Sequence, residues 1–97
     1  MAAKGDIHIA LESVAAGGFL DTAPGAGREA NIHNIFHVTD ISIELYDGTN
    51  QIEFVADRAG VGALSYYTFH ITNSIRIRIK NEDAGTALLG YSGVITK

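Results

Sequence analysis

Glu44 and Glu53 are the first residues of this 97-residue chain whose type and spacing could do chemistry. They flank Asp47-Gly48-Thr49-Asn50, a turn sequence, so a hairpin closed there sets them opposite each other on its outward face. Paired carboxylates cleave glycosidic bonds in hydrolases and hold calcium in loop sites. Like charges facing across strands also destabilise a sheet, so they need compensation. Arg76, Arg78 and Lys80 alternate along one strand and form a basic stripe that could lie over the two acids. We therefore read Glu44 and Glu53 as an intra-sheet charge cluster, because surface ion pairs are commoner than hydrolytic sites.

The other chemically capable residues lack the context their chemistry needs. His33 and His37 would share a helix face, but on a strand they stand about 13 Å apart, too far to chelate one ion. Solvent-facing strand positions account better for them and for His8 and His70. The run Gly25-Ala26-Gly27-Arg28-Glu29-Ala30 matches a dinucleotide fingerprint in letters only, with neither a strand before it nor a helix after it. Ser92 in Gly90-Tyr91-Ser92-Gly93 lacks the flanking glycines of a nucleophile elbow. Arg76, Arg78 and Lys80 with Tyr66, Tyr67 and Tyr91 could form a basic, aromatic nucleic-acid platform. A formal charge of −4 and a pI near 5.4 oppose that role. The sequence assigns no catalytic, cofactor-binding or metal-ligating residue and reads as non-enzymatic.

The elements that position these residues are strands. Ile, Val and Thr supply a quarter of the chain and cysteine is absent, so strands are favoured and no disulfide or thiolate site can form. Apolar residues are spread too evenly for a membrane span. Residues 1–57 hold nine acids and two bases and residues 58–97 five bases and two acids, so the halves pair either within one molecule or between copies. Lys4, Asp6, His8 and Glu12 interrupt any apolar stretch of signal-peptide length.

Residues 6–11 alternate as a half-buried strand. Residues 12–28 are Ala- and Gly-rich and read as a loop or arm, functional, docked on a partner or hiding a short strand around Val14 to Leu20. Residues 29–38 carry a parity break that predicts a bulge near Asn34. The hairpin over 41–55 sets Tyr46 opposite Gln51, Leu45 opposite Ile52 and Ile43 opposite Phe54, with the Ile, Leu and Phe side chains on the core face. Residues 64–72 and 75–80 read as a second hairpin pairing Ile71 with Ile75 and Phe69 with Ile77, and residues 86–96 as the last strand. The expectation is one all-β domain over 1–97, an antiparallel sandwich or jelly roll of seven to eight short strands. Within it, 1–28 is the N-terminal strand and arm and 29–97 the main sandwich.

In order, the segments Glu44-Leu45-Tyr46-Asp47-Gly48-Thr49-Asn50-Gln51-Ile52, Phe69-His70-Ile71-Thr72-Asn73-Ser74, Ile77-Arg78-Ile79-Lys80-Asn81 and the ending 90–97 resemble small β-sandwich proteins of tailed-bacteriophage virions. Among these they are most similar to capsid decoration, or cement, proteins, over about residues 30–97. The resemblance implies a non-enzymatic homo-oligomer, trimer or dimer, bound outside a major capsid protein lattice, with neither nucleic acid nor membrane as partner. Candidate interface residues are Val14, Phe19, Leu20, Arg76, Arg78, Lys80, Leu89 and Tyr91. The alternative is a carbohydrate-binding or adhesion module presenting Tyr46, Tyr66 and Tyr67.

Overall fold

The computed structural model describes residues 4–58, 62–64 and 68–97, and these form an all-β fold. Nine strands are described: β1 (Ile7–Val14), β2 (Phe19–Asp21), β3 (Glu29–His37), β4 (Ile41–Tyr46), β5 (Gln51–Arg58), β6 (Gly62–Leu64), β7 (Phe69–Thr72), β8 (Arg76–Asn81) and β9 (Ala87–Ile95). One sheet runs β1-β9-β3-β6 with β7 also on β3, and the other runs β2-β8-β4-β5. All pairings are antiparallel.

The pairings are nested: β1 with β9, β2 with β8, β3 with β7 and β4 with β5. That is one long ribbon folded at the β4–β5 turn and rolled until β9 meets β3 and β8 meets β4. The topology is a jelly roll, and the described parts of the strand expected over 64–72 fall in β6 and β7, both paired with β3. Eight of the twelve isoleucines, Ile32, Ile35, Ile41, Ile43, Ile71, Ile77, Ile79 and Ile95, are buried in the core. β-branched side chains fill a thin two-sheet interior with little conformational loss.

Local chemistry sets the register where the sequence reading succeeds. Asp47 accepts the backbone N–H groups of Thr49 at 2.9 Å and Asn50 at 2.6 Å. Those two hydrogen bonds, Asn50's first, hold its carboxyl below the ordinary value. Gly48 takes φ +97°, and the turn closes with Tyr46 opposite Gln51, Leu45 opposite Ile52 and Glu44 opposite Glu53. A register shift then sets Ile43 against Val55 rather than Phe54. The expected bulge in β3 falls between Ile32 and Asn34.

Two expectations are corrected and one open alternative is decided. β7 and β8 are not a hairpin: β7 pairs with β3, and the chain crosses to the other sheet through a turn in which the Thr72 N–H donates to the Ile75 carbonyl at 2.8 Å. Of the alternatives open for residues 12–28, the hidden short strand is the one found: β1 runs on to Val14, β2 follows, and the buried Thr22 donates its N–H and Oγ1 to the Ile77 carbonyl. β1 also faces the other way from its apolar parity, with Ile7, Ile9 and Leu11 outward and His8 and Ala10 half-buried. His8 Nε2 lies 2.8 Å from the Thr22 carbonyl and its ring 5.1 Å from the buried Tyr91, whose bulk leaves room for only Ala10 opposite it.

Candidate functional site

The two sheets present outer faces of opposite character. On the four-stranded sheet, β8 lies between β2 and β4, so each of its basic side chains has acids within reach. Arg76 Nε and Nη2 donate to Asp21 at 2.9–3.1 Å. Arg78 Nε donates to the buried Glu44 at 2.7 Å, and its Nη2 to Gln51 at 3.2 Å. Lys80 Nζ lies 3.3 Å from Glu82, whose carboxyl is held below its ordinary value by the Ser42 hydroxyl and then by Lys80. The Arg78 guanidinium is also stacked between the rings of Tyr46, at 3.7 Å, and Phe19, at 3.9 Å. The basic stripe is thus saturated from within, and the acidic and basic halves of the chain meet inside one molecule. Phosphates would have to displace these partners to reach the stripe.

The outer face of the five-stranded sheet is apolar along β1. Ile7, Ile9 and Leu11 are 74, 64 and 70% exposed on β1, with Leu88 and Phe36 also exposed on β9 and β3. Gly90 lies between Leu11 and Phe36 in the pairing, and the missing side chain opens a groove of about 490 Å³ walled by the Ile9, Leu11 and Phe36 side chains. Isolated exposed isoleucines are ordinary, but a contiguous strip on one face marks a surface that meets something else.

A second apolar cleft opens at the end of the sandwich. Leu45, Ile52 and Phe54 point inward at the β4–β5 tip yet remain 40, 66 and 46% exposed. With Phe69, His70, Ile71 and Ile77 they line a volume of about 420 Å³, and Phe54 and Phe69 sit 5.5 Å apart.

The interface residues nominated from sequence separate into two groups. Val14, Leu20, Leu89 and Tyr91 are packed between the sheets, so they build the core and offer a partner no surface. Arg76, Arg78, Lys80 and Phe19 share the outer face of the four-stranded sheet, already engaged as described. Glu44 and Glu53 do face each other, and Arg78 neutralises Glu44. Tyr46 is covered by Arg76 and Arg78, while Tyr66 and Tyr67 lie outside the described residues. The histidines are scattered rather than uniformly solvent-facing: His37 is buried, and His70 bridges Asn31 and Glu29 at 2.8 and 3.1 Å. No three His, Asp or Glu side chains converge among the described residues.

The apolar strip of Ile7, Ile9, Leu11, Phe36 and Leu88 is the surface that the sequence reading missed. One signal could have found it: Val14 has the opposite parity to Ile7, Ile9 and Leu11, so a single strand cannot bury all four. No family model matches the chain, and no curated protein matches it in sequence.

Proposed function

We propose that this protein is a non-enzymatic structural component of a phage virion that attaches as an oligomer to the outer surface of the capsid and reinforces it. The observation that carries the reading is the apolar strip on one sheet, opposite a sheet face whose basic side chains are already paired. A jelly roll with one saturated and one apolar face suits a subunit that lies flat on a repeated lattice. Each copy contributes modest burial, and many copies on one shell sum through multivalency. The turn-and-strand series over 44–52, 69–74, 77–81 and 90–97 supports the same assignment by its resemblance to decoration proteins.

The test is co-sedimentation of the purified protein with undecorated phage capsids. The wild type should pellet with shells at about 10 µM, and Phe36→Asp, a substitution on the exposed strip, should stay in the supernatant while keeping its circular dichroism. Absence of wild-type binding, or a gene neighbourhood of polysaccharide-degrading enzymes, would overturn the proposal.

A further inference from the structure

We infer that the free edge of β1 is a dimerisation strand, pairing antiparallel with β1 of a second copy about a twofold axis. The inference names the interface behind the proposed oligomer; it rests on that reading for its biological purpose and does not depend on the capsid. Among the described residues β1 has β9 on one side and no strand on the other. The Ile95 N–H donates to the Asp6 carbonyl, and the register from Ile7 to Val14 is unbroken, so even-numbered residues bond to β9. The N–H and C=O groups of Ile7, Ile9, Leu11 and Ser13 therefore point away from the sheet along the open edge.

Protected edges are short, bulged, proline-bearing or covered. β2 and β6 are three residues each, Pro24 follows β2 closely, and β5 carries a register shift. β1 runs eight residues with neither bulge nor proline and with an apolar stripe on its outer face. Such an edge is a template for another strand, and a closed twofold pair is the arrangement that uses it without propagating a fibre.

The charges choose a register. Lys4 and Glu12 take part in none of the ion pairs among the described residues. Centring the twofold on His8 sets Lys4 of each copy opposite Glu12 of the other and bonds Ile7 to Ile9 across the axis. Shifting the pairing by two residues, so that the axis passes through Ile9, sets Asp6 against Glu12 instead, a like-charge clash. In the favoured register the two apolar strips join into one continuous face, which doubles the surface available to a lattice.

Light scattering on the eluting 97-residue chain tests this without capsids. The wild type should be a dimer at about 0.1 mM. Ile9→Pro blocks an edge N–H that serves no internal bond, so it should be monomeric with its circular dichroism retained. Lys4→Glu should weaken the dimer about tenfold, since two facing pairs turn repulsive, and Lys4→Glu with Glu12→Lys should restore it. A wild-type monomer or trimer, an undiminished Ile9→Pro dimer, or a double variant as weak as Lys4→Glu would each overturn the inference. A monomer that still pellets with shells overturns the dimer alone, and a dimer that ignores them overturns attachment alone.

Discussion

Glu44 faces Glu53 across the β4–β5 ladder while Arg78, on the neighbouring strand, donates Nε to the Glu44 carboxylate at 2.7 Å. Glu44 is buried and Glu53 exposed, so the two carboxylates live in different media despite facing each other. The guanidinium that compensates Glu44 is held by the two rings above and below it, which keeps one cation fixed beside one buried anion.

Arg78→Met should therefore destabilise the fold by about 3 kcal/mol, because it leaves the Glu44 carboxylate buried beside a like charge. Glu53→Gln alone should raise stability by less than about 0.5 kcal/mol, and by about 1 kcal/mol in the Arg78→Met background. Urea midpoints at unchanged slope measure both. Equal effects of Glu53→Gln in the two backgrounds would show that the acids do not interact.

That hairpin is also where the sequence was most legible. Asp47 and Gly48 specify the turn chemically, and the turn fixes the register as far as Glu44 and Glu53. The alternating Ile and basic residues of β8 fix its two faces in the same way. Nothing comparable marks the passage from Thr72 to Arg76, where a turn that changes sheets has the same residue types as one that closes a hairpin. The facing of β1 was hidden for another reason. Periodicity shows that Ile7, Ile9 and Leu11 share a side, but which side faces inward depends on Tyr91, eighty residues away, filling the space opposite Ala10. The candidate interface followed suit: Val14, Leu20, Leu89 and Tyr91, nominated for partners, are core, and Ile7, Ile9 and Leu11, whose alternation read as the buried side of their strand, are exposed.

Asn81 is wholly buried and ties three segments together. Its Nδ2 donates to the Val14 and Gly85 carbonyls at 2.9 Å, and its Oδ1 accepts from the Asp83 N–H at 2.9 Å. Asn81→Ala should cost about 3 kcal/mol, and the nearly isosteric Asn81→Asp at least as much, since it turns an acceptor toward two carbonyls. If Asp restored stability relative to Ala, the volume rather than the hydrogen bonds would be what matters. Hydrogen exchange at Gly17, whose N–H donates to the Asn81 carbonyl, should quicken in both variants.

Burial pushes the Tyr91 hydroxyl up from 10.0 to about 12, with the charges of Glu12 and Asp21 adding to it. The unfolded chain loses this proton near pH 10 while the folded chain keeps it to about 12, so the folded state holds more protons in between. Stability from this group is complete below pH 10 and falls as pH rises to 12, by about 2 kcal/mol. Tyr91→Phe should remove that part of the alkaline decline. Denaturant midpoints at pH 9 and 11 for both proteins check it, and parallel declines would count against the assignment.

Gly93 and Gly90 lie on the same strand, and β3 and β1 approach them differently. Gly93 pairs with His8 on one side and Ile32 on the other, beside the β3 bulge, and a Cβ there would stand 2.0 Å from the Asn31 carbonyl oxygen and 2.9 Å from Ile32 Cα. Both obstacles are backbone of a central strand and cannot rotate aside, so Gly93→Ala should cost more than about 4 kcal/mol and yield little folded protein. At Gly90 a Cβ would meet the Ala10 carbonyl oxygen at 2.9 Å and Leu11 Cδ1 at 3.4 Å. β1 is an edge strand and can shift outward, so Gly90→Ala should fold with a loss of about 1–2 kcal/mol. Gly85→Ala, with only the Asp83 carboxylate at 3.9 Å, is the neutral control. Thermal unfolding of the three variants should rank them Gly85, Gly90, Gly93 in increasing damage. A Gly93→Ala protein as stable as Gly85→Ala would mean that β3 and β9 do not meet in this register.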